Sequence, residues 1–195
     1  RKKFKSKISK ISIKVKIKET TIEGCYLITH DLHEDKRGLF FESYNQLNFD
    51  KLIGRNIHFV QDNVSISKKS VLRGLHYQKG PHAQAKLVTV LKGEVIDVIV
   101  DIRKDSPTFG NHFKIKISSQ KRKSIFIPKG MAHGFLALTD DVIFSYKCDA
   151  LYDPKSESGI LYNDPKLFID WEIDRERLII SEKDLKLPLL KDLEL

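Results

Sequence analysis

Four polar residues interrupt apolar runs near the middle of the chain: Arg73, His76 and Gln78 within Val71-Leu-Arg-Gly-Leu-His-Tyr-Gln78, and Lys86 within Gln84-Ala-Lys-Leu-Val88. An imidazole titrates near neutral pH, and a fixed cation beside it stabilises negative charge. A titratable imidazole beside a fixed cation and amides has the makings of a reaction centre. On a regular strand His76 and Gln78 share one pleat face, whereas Arg73 and His76 fall on opposite faces. The same spacing also fits a half-buried, hydrogen-bonded histidine in a barrel wall, so the elements around it have to separate the two readings.

Those elements read as a succession of short strands. Ile11, Ile13, Val15 and Ile17 alternate with lysines, the pattern of a strand with one solvated face. Strands follow at 25–29, at 37–44 around Gly38, and at 58–67, where Gln61, Asp62 and Asn63 form a polar island. Leu47, Lys51 and Leu52 have helical spacing, so a short helix is expected over 46–54 with Gly54 as its stop. Segments 86–91 and 94–102 flank Lys92-Gly93, and 134–138 and 142–148 flank Thr139-Asp-Asp141; both pairs read as β-hairpins. In the 94–102 strand Ile96, Val98, Val100 and Ile102 fill one face, while Val95, Asp97, Ile99 and Asp101 make a mixed one. Strands recur about every ten residues, which predicts a sandwich or barrel and not βαβ units. Asn163-Asp-Pro165, Trp171 and residues 175–190 predict loops and short helices laid over that barrel.

The chain has 195 residues and no repeat or linker, which predicts a single domain over 11–195 behind a basic extension at 1–10 that is expected to be disordered. Hydrophobic residues at 41% and charged residues at 31% describe a soluble globule. No apolar run approaches the roughly 20 residues that cross a bilayer, and no signal-peptide pattern is present, so the expected address is cytoplasmic, with no membrane partner. The net charge is +9, and residues 1–18 alone hold nine Lys and Arg with no acid. A basic arm of this kind suits nucleic acid or anionic lipid. Its alternation with isoleucine favours a solvated strand face instead, so no nucleic-acid partner is expected.

Several chemistries are excluded. There is no Gly-rich phosphate loop before a helix, and no Gly-x-Ser-x-Gly elbow offers a serine nucleophile. Cys25 and Cys148 lack metal-ligand spacing and are expected as buried free thiols. Pro128-x-Gly130-x-x-His133 resembles the second motif of the cupin superfamily of small β-barrels. In metal-binding cupins that histidine joins a His-x-His and a Glu from the first motif. Here the corresponding stretch is His76-Tyr77-Gln78, one ligand short, with Lys86 near where the metal's charge would act. The expectation is a metal-free, cofactor-free cupin, an all-β jelly-roll barrel with short peripheral helices, in which an ammonium takes the oxyanion.

A longer series of motifs makes the resemblance specific. Arg73-Gly-Leu-His-Tyr-Gln78, Gln84-Ala-Lys-Leu-Val88, the run from Gly93 through Ser106-Pro-Thr-Phe-Gly110, Ile127-Pro-Lys-Gly-Met-Ala-His-Gly-Phe135, Asn163-Asp-Pro165 and Ser181-Glu-Lys-Asp184 occur in order. Together they resemble the dTDP-4-dehydrorhamnose 3,5-epimerase family across residues 14–190. Residues 1–10 lie outside the family pattern, and Glu172 follows Trp171 where a proline is common.

The resemblance implies a dTDP-linked 4-keto-6-deoxyhexose substrate, whose C3 and C5 hydrogens are acidified by the C4 ketone, and a place in dTDP-L-rhamnose biosynthesis. It implies His76 as general base, with Asp184 as its dyad partner. It places Lys86 at the C4 oxygen and Tyr146 as proton donor on the opposite sugar face. Arg73 and Lys183 resemble pyrophosphate ligands, and Arg37, Glu42, Gln61, Asn63, His133 and Glu157 the remaining nucleotide and sugar contacts. Family members are homodimers with an exchanged N-terminal strand, so Arg37 and Glu42 are expected to serve the neighbour's site. Beside these roles stand plainer ones: a capping carboxylate for Asp184, a solvated strand-edge lysine for Lys86, a rim aromatic for Tyr146. A single-carbon epimerase, a ketoisomerase and a non-catalytic sugar-binding cupin are the alternative functions.

Overall fold

The computed structural model describes residues 15–194. In chain order its elements are β1 (Lys16–Glu19), β2 (Tyr26–Thr29), β3 (His33–Asp35), β4 (Gly38–Phe40), α1 (Gln46–Ile53), β5 (Gln61–Ser67), β6 (Leu72–Gln78), β7 (Lys86–Lys92), β8 (Glu94–Asp101), β9 (His112–Ser118), β10 (Lys123–Ile127), β11 (Met131–Ala137), β12 (Val142–Cys148) and β13 (Glu157–Gly159). Short 3-10 turns occupy Gly80–His82, Arg175–Arg177, Asp184–Lys186 and Leu190–Asp192. One antiparallel sheet runs β1-β2-β10-β7-β12-β5 and the other β13-β6-β11-β8-β9, while β3 and β4 form a separate hairpin. This is the expected all-β jelly-roll barrel. The basic extension 1–10 and the lysine-flanked Ile11 and Ile13 lie outside the described residues; within β1, Lys16 and Lys18 are exposed on either side of half-buried Ile17.

Three apolar layers hold the sheets. Between them, Val88, Val90 and Phe144 of one meet Val95, Ile99 and Phe135 of the other. The alternate face of β8, with Ile96, Val98 and Val100, packs instead under Trp171, Leu167 and Ile160 of the C-terminal segment. That strand is buried on both sides, which is why it carries apolar residues on both faces. A third layer sets Phe49 and Ile53 of α1 on Ile28, Leu87 and Phe126, covering the outer side of the six-stranded sheet. Cys25 and Cys148 are buried free thiols.

Neither expected hairpin forms. β7 pairs with β10 and β12, whereas β8 pairs with β11 and β9, so Lys92-Gly93 carries the chain from one sheet to the other. Thr139-Asp-Asp141 does the same between β11 and β12. A Gly-containing turn signals only that the chain reverses; which strands then pair is decided by burial across the sandwich. The two crossovers touch: a Cβ on Gly93, at φ +84°, would lie 2.4 Å from Thr139 Oγ1, and the Glu94 N–H donates to that hydroxyl at 3.1 Å.

Two further expectations are corrected. The strand expected over 37–44 shrinks to β4, because Asp35 and Arg37 tie a tight hairpin and the later aromatic rings pack sideways, Phe41 on His30 and Tyr44 on Phe49 and Phe59. The expected strand at 58–67 begins only at Gln61. The helix occurs as expected, capped by Asn45 and closed by Gly54 at φ 70°, but its buried face is Phe49 and Ile53, while Leu47 is 81% exposed.

Candidate active site

The site begins with an irregularity where β6 meets β11. His133 pairs with His76 but Phe135 with Arg73, so three residue steps on β6 are matched by two on β11. The extra residue cancels the alternation of faces, and Arg73 and His76, expected on opposite sides, line one cavity. Gly74 makes this geometry accessible. Its φ is +110°, and a Cβ there would stand 2.6 Å from both Gly134 Cα and the His133 carbonyl oxygen, so any side chain would push the two strands apart.

His76 is oriented from the C-terminal segment. Its Nε2 lies 2.7 Å from Asp184 Oδ1, and Asp184 Oδ2 accepts the Gly74 N–H at 3.3 Å. Asp184 is buried, which by itself would raise its pKa. The hydrogen bond and electrostatic attraction to His76, the Gly74 N–H and the Ser181 hydroxyl outweigh burial and hold the carboxyl below its usual range. An ionised carboxylate only accepts hydrogen bonds, so it fixes the proton on Nε2 and leaves the lone pair on Nδ1.

Lys86 and Tyr146 come from the other sheet, on the neighbouring strands β7 and β12. Lys86 Nζ stands 5.9 Å from the centroid of the Tyr146 ring, and among the described residues the ammonium has no ion pair. Burial lowers its pKa below the ordinary lysine value, against the opposing pull of Cys148, Glu157 and Asp97. Burial likewise raises the Tyr146 phenol, with Cys148 and Glu157 acting in the same direction, so it keeps its proton at neutral pH. The aromatic floor beside them is Phe135 stacked on Phe144 at 4.0 Å between centroids.

Two cavities meet at these groups. One of about 570 Å³ is lined by His76, Lys86, Tyr146, Asp184, Arg73, His133 and Lys183, together with Ser65, Phe135, Phe144 and Ile180. The other, about 300 Å³, shares His76, Lys86 and Tyr146 and adds Gln61, Asn63, Gln84, Tyr152 and Glu157. Glu157 and Lys183 are ion-paired across the boundary between them. Burial favours a neutral Glu157, but Lys183 and the Tyr152 hydroxyl at 2.8 Å hold its carboxyl below the usual range.

Ten of the twelve residues to which the resemblance gives catalytic or binding roles therefore converge on one paired cavity. Arg37 and Glu42 do not. Arg37 is exposed on the β3–β4 hairpin in a bidentate pair with Asp35, and Glu42 accepts from the side chains of Asn45 and Asn48 at the start of α1. The structure also adds residues that the motifs did not single out. Asp97 Oδ2 lies 2.9 Å from His133 Nε2; its signal was an acid on a strand otherwise buried on both faces. Ser67 Oγ accepts from Arg73 Nε at 3.1 Å. Ile179 joins Val71 in an isolated parallel bridge, a long-range contact with no sequence signature. Among the described residues no three His, Cys, Asp or Glu side chains are grouped to hold a metal ion.

The arrangement sets a base with an oriented lone pair on one wall of a cavity, and a protonated phenol with an ammonium on the facing wall. That is the equipment for removing a proton from a carbon beside a carbonyl, holding the enolate and returning a proton from the other side.

Comparison with known proteins agrees in extent and in detail. Residues 19–192 match the family model described as dTDP-4-dehydrorhamnose 3,5-epimerase. The chain is 48% identical over 172 residues to the dTDP-4-dehydrorhamnose 3,5-epimerase of Salmonella typhimurium, covering 88% of this chain and 93% of the relative. The crystal structure of a dTDP-6-deoxy-D-glucose-3,5-epimerase from Legionella pneumophila in complex with dTDP-4-keto-L-rhamnose superposes with a TM-score of 0.88 at 44% identity, covering 92% of this chain and 95% of that one. A 3'-monoepimerase from Streptomyces bikiniensis in complex with dTDP-quinovose gives 0.83 at 33% identity, covering 88% and 86%. The chain belongs to the dTDP-4-dehydrorhamnose 3,5-epimerase family.

Proposed function

We propose that this protein converts dTDP-4-dehydro-6-deoxy-D-glucose to dTDP-4-dehydro-L-rhamnose by inverting C3 and C5 in turn. The observation that carries the reading is that His76 and Tyr146 project from facing sheets into one cavity, as inversion at a single carbon requires. His76 takes the proton from the carbon next to the C4 ketone; the C–H pair becomes the carbon–carbon double bond of the enolate, and the carbonyl π pair moves onto O4. Lys86 stabilises that enolate. Tyr146 then delivers its proton to the opposite face, and solvent restores the protonation of both groups. Asp184 stabilises the imidazolium as it forms. Arg73 and Lys183 bind the diphosphate, Lys183 leaving Glu157 to do so, while Gln61, Asn63, His133 and Glu157 contact the nucleotide and sugar.

The decisive experiment is turnover in deuterium oxide, with NMR of the product. Deuterium at both C3 and C5 is the expected result. Label at one carbon alone would instead favour single-carbon epimerisation, the second reading that the similarity to the Streptomyces bikiniensis 3'-monoepimerase supports. No label at either carbon would sink proton abstraction altogether.

In this reading Lys86, and not a metal, carries the oxyanion charge. Exhaustive dialysis against a chelator should leave the rate unchanged, and a rate that returns only with an added divalent ion would reject that assignment.

The functional unit proposed is a homodimer in which the N-terminal region of one protomer reaches the other's cavity. In its support, Arg37 and Glu42 stand away from the cavity of their own chain, and the hairpin carrying Arg37 exposes apolar surface, Phe40 at 71%. Val64 and Ile66, on the outer face of the edge strand β5, are 62% and 67% exposed. Sedimentation should give the mass of two chains.

A further inference from the structure

The inner face of β5 is polar throughout: Gln61, Asn63, Ser65 and Ser67 point inward while Asp62, Val64 and Ile66 point out. Three of the four are engaged within the protein. Gln61 Nε2 donates to Asn63 Oδ1 at 3.0 Å, Asn63 Nδ2 donates to Cys148 Sγ at 3.8 Å, and Ser67 Oγ accepts from Arg73 Nε at 3.1 Å. Ser65 differs. Its Oγ is buried and has no hydrogen-bond partner among the described residues, yet the residue lines the same cavity as Arg73, Lys86 and Tyr146. A buried hydroxyl without a partner destabilises the free protein, so a partner supplied by a ligand would account for it.

The register says which part of a ligand that would be. Along β5 and β12, Asn63 is opposite Tyr146, Ser65 opposite Phe144 and Ser67 opposite Val142. Inward positions on a strand lie about 7 Å apart. Ser65 is thus one step from the level of the proton donor and one step from the serine that steers Arg73. With Nε held by Ser67, the two terminal nitrogens of Arg73 remain for an anion, since among the described residues Arg73 has no ion pair. A sugar at Tyr146 joined to a diphosphate at Arg73 has its first phosphorus between the two, beside Ser65. Resting on the sugar-nucleotide reading above, we propose that Ser65 Oγ is a ligand of the sugar-proximal phosphoryl group, donating its hydrogen to a non-bridging oxygen.

The test uses Ser65→Ala in the full chain, with thymidine diphosphate and thymidine monophosphate as calorimetric probes. Loss of one hydrogen bond to a charged group should weaken diphosphate binding on the order of tenfold. Monophosphate binding should not change, because that probe lacks the second phosphoryl group. KM for the sugar nucleotide should rise by a similar factor, with kcat falling less. The melting temperature should hold or increase, since no internal hydrogen bond is lost. Equal diphosphate affinity in the variant and the parent would overturn the assignment, as would parallel losses for both probes. A clear drop in melting temperature would also overturn it, by showing that the hydroxyl has a partner inside the protein. If the parent itself binds no thymidine diphosphate, the sugar-nucleotide reading falls along with this one, whereas a parent that binds and epimerises beside an unaffected variant rejects Ser65 alone.

Discussion

His76→Asn is expected to lower both hydrogen exchange and epimerisation by roughly 10²-fold or more, the contribution of a positioned general base. Asparagine keeps the approximate size of imidazole and can still donate to Asp184, so the buried carboxylate retains a partner and the bond that now measures 2.7 Å has a substitute. What disappears is the lone pair that Asp184 leaves exposed on the imidazole. Binding should persist, because Arg73 and Lys183 lie elsewhere on the cavity wall; Kd for thymidine diphosphate, measured in parallel, checks that the variant is folded and loaded. A variant that still exchanges substrate hydrogens at a near-normal rate would move the base elsewhere, with Tyr146 the next group in line.

Tyr146→Phe should separate exchange from inversion. The base on the β6 wall remains, so it can remove a hydrogen and return a solvent-derived one to the same face. Phenylalanine fills the same space beside Phe144 and beneath Lys86 but carries no proton to deliver. Formation of the rhamnose-series product should fall by roughly 10²-fold or more, while deuterium enters the recovered 4-keto-6-deoxyglucose substrate at a higher rate than product forms. Mass spectrometry and NMR of the two sugar pools read both rates in one sample. If inversion and exchange decline in the same proportion, Tyr146 is not the opposite-face donor, and water or another side chain has that role.

Much of the architecture is written in local patterns. Alternating apolar residues separated by turn signals specify short strands, and those strands are where the pattern puts them in β2, β6 through β8 and β12. The helix at 46–53 and its Gly54 stop follow from capping chemistry that acts within a few residues. Family identity is local in the same sense, since it rests on motifs that are contiguous in the chain, and the cavity-forming residues His76, Lys86, His133 and Asp184 were named from them.

Pairing was decided elsewhere. Lys92-Gly93 and Thr139-Asp-Asp141 have the composition of hairpin turns, yet both connect different sheets, because a strand chooses partners by the faces it must bury and those faces are completed by residues tens of positions away. The same non-local balance put Leu47 of α1 in solvent and Phe49 and Ile53 in the core. At the site, sequence spacing placed Arg73 and His76 on opposite faces. The slip in register against β11, permitted by the absence of side chains at Gly74 and Gly134, put them on one. That Asp97 pairs with His133, and that the Ser65 hydroxyl has no partner, could not be read from spacing for the same reason: hydrogen bonding in a buried cavity depends on which strands close around it. The residue types and their order determined what chemistry this chain can perform; the packing of two sheets, which sums weak contacts over the whole barrel, decided which of those residues face one another.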